Sequence, residues 1–253
     1  MKKMILFVFM ILLSQSFNAE ACDDKGKSGF MPENNMSVAV GDKAANDMTE
    51  TRFNAIIDRV ESVYAPIVRG KKGRLVVKRK WKDNTVNASA SRLFRTWTVN
   101  MYGGLARHPD VTDDGFALVI CHELGHHLGG APKVGNLMMK WASNEGQSDY
   151  FGSLKCMRRV FGNDDNTTII STMKVPAHAE KKCLGSWSTQ ADQALCIRIA
   201  MAGKSLSKLL ARSGTPQFST PDTSVVSRTN NTHPAGQCRL DTYFHGALCD
   251  KEV

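Results

Sequence analysis

The chain has 253 residues, a formal charge of +9 and seven cysteines. That length suffices for one good-sized core, or a core with an appended subdomain. The only dense basic cluster, residues 69–82 (RGKKGRLVVKRKWK), alternates with apolar positions like a solvated strand pair. No nucleic-acid motif accompanies it, so no nucleic-acid partner is expected.

The first 22 residues order themselves as an export signal. Lys2 and Lys3 precede ten apolar residues (4–13), and Ala19-Glu20-Ala21 forms a small-x-small cleavage pattern. Ten apolar residues are too few to span a bilayer, which takes about 20, and no later segment approaches that length. The expected product is a periplasmic or secreted domain over residues 22–253, with no transmembrane segment. A lipid anchor on Cys22 is the alternative, against which Ala-Glu-Ala makes a poor lipobox.

Residues 22–36 are polar and Gly-rich and read as a loose start. Apolar residues at helical spacing predict a helix over 49–68. Short β-rich runs follow at 75–77, 86–91 and 97–101. Thr112-Asp113-Asp114 is a helix start, and that helix runs over 115–128 to Gly129-Gly130. Further helices are expected over 144–161 and 190–212. The tail after Gly214 is rich in Thr, Ser, Asn and Pro and holds the last two cysteines. This order implies an α+β fold with one small antiparallel or mixed sheet. It divides into a core over 37–162 and a helical, disulfide-containing C-terminal part over 163–253.

Disulfides are the default in an exported chain. Cys121 lies in an apolar run and is expected as a buried free thiol. Cys238 and Cys249 flank a turn-like stretch and are expected to pair. Spacing leaves the partners of Cys22, Cys156, Cys183 and Cys196 open.

The chemistry concentrates in Cys121-His122-Glu123-Leu124-Gly125-His126-His127. In a helix, His122 and His126 stand one turn apart on one face and can share one Zn²⁺. Glu123 is offset by about 100° and suits a general base toward water at the metal. His127 is turned away from that pair and is expected in a supporting or surface position. A catalytic zinc needs a third protein ligand. Ten residues after His122 stands Pro132, which cannot serve. Glu145 can serve from the next helix, while Asp149, one turn on, accepts the other ring N–H of a ligand histidine.

HELGH followed by SNEGQSDYFG resembles the gluzincin metallopeptidases. Val86-Asn87-Ala88, and His233-Pro234 with Arg239, resemble motifs of the CAAX prenyl endopeptidase and HtpX group, with short soluble minigluzincins as the nearer comparison. The resemblance implies that Asn87 and Ala88 lie on an edge strand that pairs with a polypeptide substrate. It also implies that His233 donates to the oxyanion and that Arg239 steadies the His233 segment. The expected activity is that of a zinc endopeptidase with one Zn²⁺ per chain. The alternatives are a non-catalytic zinc-binding envelope protein, or a zinc amidase acting on cell-wall peptides.

Overall fold

A computed structural model describes residues 19–20 (backbone only), 29–135, 140–211 and 213–251. Most of the expected export signal, together with Cys22, lies outside these residues.

The short strand β1 (Ala19–Glu20) precedes α1 (Glu50–Gly70). The Thr49 side chain caps α1 at Arg52 N, and Phe53, Ile57, Val60, Tyr64 and Val68 are buried along one stripe. That is the three-to-four-residue spacing of an amphipathic helix. β2 (Arg74–Lys80), β3 (Ala88–Leu93) and β4 (Thr96–Tyr102) follow. The basic cluster is therefore the end of α1, a turn and a single strand, not a strand pair. β3 and β4 form an antiparallel hairpin, β2 pairs with β4 in parallel, and the sheet order is β1-β3-β4-β2.

The short α2 (Gly103–Ala106) leads to α3 (Asp113–Leu128), capped by Thr112 with Asp113 and Asp114 in its first turn. Residues 115–127 of α3 are buried without exception, so this helix is central and every polar group on it needs a partner inside the protein. β5 (Val134–Gly135) and β6 (Lys140–Ala142) form a second, two-stranded sheet. α4 (Glu145–Phe151) begins at an Asn144–Gln147 capping box. The expected helix over 144–161 is continuous but widens into a π-helical turn over Gly152–Cys156 before α5 (Met157–Phe161). α6 (Asn166–Ser171), α7 (Ala177–Ser186) and α8 (Gln190–Leu210) complete the middle of the chain.

Two expectations, both about cysteines, fail here. The tail folds into α9 (Gly236–Leu248), which buries Arg239, Leu240, Tyr243 and Phe244. Cys238 and Cys249 therefore do not pair, and both thiols are free. Eleven residues at 1.5 Å per residue separate them by about 16 Å along α9, beyond the reach of a disulfide. Cys121 is not a free thiol either. It bonds Cys156, and Cys183 bonds Cys196. The first bridge fastens α3 to the π-helical turn, and both are of the kind that persists in oxidising compartments. Among the described residues no helix is long and apolar enough to cross a membrane.

Candidate metal centre

His122 and His126 stand on one face of α3, both wholly buried, with ring centroids 4.8 Å apart. Each imidazole is held by its Nδ1. His122 Nδ1 lies 2.7 Å from Asp149 Oδ1. His126 Nδ1 lies 2.8 Å from the Ser143 carbonyl and 3.1 Å from Ser148 Oγ. A carbonyl and a carboxylate only accept, so Nδ1 carries a proton in both rings and Nε2 is the nitrogen turned toward Glu145.

Glu145, at the first position of α4, faces both Nε2 atoms. Its Oε2 is 3.3 Å from His122 Nε2 and its Oε1 is 3.5 Å from His126 Nε2. Two local features bring it there. Ser143 N donates to His126 O at 2.8 Å, tying the entry of α4 to α3. Gly125 lets the helices close: a Cβ there would stand 2.7 Å from Ser148 Cα. Glu123 is fully buried beside the pair, and ligand atoms of His122, Glu123 and His126 lie within 4.8 Å of one another.

Among the described residues, His122 Nε2 and all four carboxylate oxygens of Glu123 and Glu145 have no hydrogen-bond partner. The 3.3 Å approach to Glu145 lacks the alignment of a hydrogen bond, so it satisfies neither atom. Unpaired buried polar groups cost several kcal/mol each in a dry interior. A divalent cation among two imidazole nitrogens and a carboxylate removes that cost. The donor set fits such an ion, and two nitrogens with one oxygen suit zinc.

The charges agree with this. Burial alone would lower the His122 pKa, but the Glu145 and Asp149 carboxylates outweigh it and lift it to about 9. Burial takes His126 down to about 4. Burial would raise Glu145, yet the charge of His122, with those of His126 and Arg239, holds it well below the carboxylate range. Glu123 is pushed up to about 8, chiefly by burial. Two carboxylates that feel each other's charge are thus driven to opposite ends of the scale, the separation expected when one binds cations and the other exchanges protons.

Arg239 reaches this centre from α9. It donates to Asp149 through Nε (2.8 Å) and Nη2 (2.6 Å), to the Phe30 carbonyl through Nη1 (2.8 Å) and to the Tyr243 hydroxyl (3.1 Å). It therefore braces the carboxylate behind His122, not the His233 segment as expected. His233 does reach the site, with Nε2 3.8 Å from Glu145 Oε1.

Asn87 and Ala88 stand at the start of β3, but their hydrogen bonds go to the chain's own residues 29–31. Phe30 N donates to Ala88 O at 2.8 Å. Met31 N donates to Asn87 Oδ1 at 2.9 Å, and Asn87 Nδ2 donates to Met31 O at 3.3 Å. His233 Nε2 donates to Gly29 O at 2.8 Å. Phe30 is fully buried, its ring edge-on to His122 at 5.2 Å. The expectation of a loose start is thus overturned for residues 29–31. His127 is not a surface residue: it is stacked between Trp97 (5.0 Å) and Trp141 (4.6 Å), and burial keeps its ring neutral. Phe30 and Tyr243 carried no signal in the sequence, because each is an ordinary apolar position until the chain ends meet.

No protein-family profile, curated protein or solved structure matches the chain significantly. The site stands on its geometry, as a buried His122-Glu123-His126 group that could hold a metal ion, with Glu145 closing on both imidazoles.

Proposed function

We propose that this chain is an exported zinc endopeptidase of the gluzincin kind, in which His122, His126 and Glu145 hold the metal. The observation that carries the reading is the convergence of two imidazoles, each fixed through Nδ1, on the Glu145 carboxylate beside Glu123, with all four side chains buried. A zinc ion held there supplies Lewis-acid activation of water and of a peptide carbonyl. Glu123 takes a proton from the attacking water and hands it to the departing amine; its elevated pKa of about 8 suits both duties near neutrality. His233 donates a hydrogen bond to the carbonyl oxygen as charge develops there, a contribution of a few kcal/mol. Asp149 fixes the His122 tautomer, and Arg239 fixes Asp149. The two disulfides support an oxidising destination.

The test is metal content and turnover on one preparation. Purified protein is expected to carry about one zinc per chain and to hydrolyse casein. Glu123→Gln is expected to keep the metal and lose at least about 100-fold in rate. Zinc retained without hydrolysis of casein in the wild type overturns the endopeptidase reading. Hydrolysis of murein peptides instead of casein reassigns the substrate to the cell wall.

A further inference from the structure

The centre's neighbours hold five successive backbone groups of residues 29–31. The Gly29 carbonyl accepts from His233, Phe30 N–H donates to Ala88 O, and the Phe30 carbonyl accepts from Arg239. Met31 N–H and the Met31 carbonyl both bond the Asn87 side chain. The Met31 carbonyl also accepts from Gly29 N–H within the segment, at 3.2 Å. Two of the outside partners stand at the candidate centre, His233 beside Glu145 and Arg239 on Asp149. The carbonyl facing His233 belongs to a glycine, and only a glycine fits. A Cβ at position 29 would stand 1.8 Å from Ala88 O. On the far side of that peptide bond the Phe30 ring is buried, edge-on to His122 and 4.5 Å from the Arg239 guanidinium. A cavity of about 460 Å³ is lined by Pro32 and by His233, the residue that holds the Gly29 carbonyl.

We infer that residues 29–31 are bound as the chain's own substrate, and that the peptide bond between Gly29 and Phe30 is a self-processing site. This rests on the peptidase reading above. The step consumes one water. Its oxygen bonds to the Gly29 carbonyl carbon and one of its protons goes to Glu123. The bond between that carbon and Phe30 N then breaks, the electron pair stays on nitrogen, and Glu123 returns the proton to it. The products are a peptide ending in a Gly29 carboxylate and a chain beginning at a Phe30 amine. His233 holds the reacting carbonyl, while Ala88, Asn87 and Arg239 hold the leaving side.

The experiment uses the full exported chain, stripped of metal and then given zinc. Intact mass and N-terminal sequencing are followed in time, and an added peptide substrate is assayed in the same tubes. The expected result is a new N-terminus at Phe30, formed at a first-order rate unchanged by tenfold dilution, as cleavage within one molecule requires. Glu123→Gln is expected to bind zinc and cut this bond at least about 100-fold more slowly. Gly29→Val is expected to slow it at least as much. Circular dichroism checks that each variant is folded, and Glu123→Gln, nearly isosteric, keeps the test decisive if Gly29→Val is not. A wild type that hydrolyses the added peptide while its own N-terminus stays upstream of Gly29 overturns this inference and leaves the peptidase reading intact. Glu123→Gln cut at the same bond at the wild-type rate also overturns it. Hydrolysis of neither substrate brings down the peptidase reading, and this inference with it.

Discussion

Two regions of the molecule meet at the candidate metal centre, and they differ in how they are made. The α3–α4 pair supplies His122, Glu123, His126, Glu145 and Asp149 from 28 consecutive positions, placed by helical periodicity, two capped helix starts and one glycine at the crossing. The other region joins the two ends of the chain. Phe30 and Arg239 are 209 residues apart, yet Arg239 donates to the Phe30 carbonyl. The first region carries the candidate donors, and the second braces Asp149 behind them through Arg239. Local geometry is enough to bring metal ligands together, whereas seating a buried guanidinium against buried carboxylates needs the whole fold.

The largest expected effect comes from breaking the first region at its ligands. His122→Ala or His126→Ala should empty the site, read as zinc per chain after gel filtration. Glu145→Ala should lose metal affinity strongly. Asp149→Ala, which removes only the support behind His122, should lose about 10–100-fold. Stoichiometric zinc in a His122→Ala/His126→Ala double variant would break the assignment. Glu145→Ala binding zinc like the wild type would move the third ligand elsewhere.

Breaking the second region should show first in stability. Arg239→Met leaves Asp149 and Glu145 without their buried cation, and removing one partner of such a cluster costs about 3–5 kcal/mol. Denaturant unfolding of the zinc-free protein reads this directly. A loss below about 1 kcal/mol would mean that the chain ends are dispensable to the centre.

The Cys121–Cys156 bridge fastens the first region internally, closing a loop of sequence separation 35. On loop-closure grounds it stabilises by about 3–4 kcal/mol. Cys121→Ala/Cys156→Ala should lose stability in that range and keep zinc stoichiometry, because the ligand placement rests on caps and packing. Loss of zinc from a folded double variant would show that the bridge positions the ligands.

The smallest effect sharpens the comparison from outside both regions. Burial alone would raise Asp164, but hydrogen bonds from Arg59 and Arg198 hold its carboxyl below the usual range. A depressed folded pKa adds stability above the unfolded value and loses it as pH falls below about 4. Arg198→Met should therefore flatten the acid limb of the stability–pH curve and leave zinc binding at pH 7 unchanged. An unaltered acid limb would remove this cluster from the account.

The amino-acid sequence by itself determined the elements and the donors. α1, α3 and α8, the β3–β4 hairpin and the Thr112 and Asn144 caps follow from periodicity and turn chemistry, which act over a few residues. His122, His126 and Glu145 were legible because helical spacing fixes which side chains share a face. Only the tertiary structure decided what joins over long distances. Cys121 pairs with Cys156 because a π-helical turn is packed against α3. Cys238 and Cys249 cannot meet because a helix lies between them. Arg239 serves Asp149 because α9, built from a tail with no apolar run to announce it, docks against α4 and α8. Asn87 and His233 bind residues 29–31, not open solvent. Contacts of this kind are selected by burial and charge pairing across the completed core, and no window of sequence contains both partners.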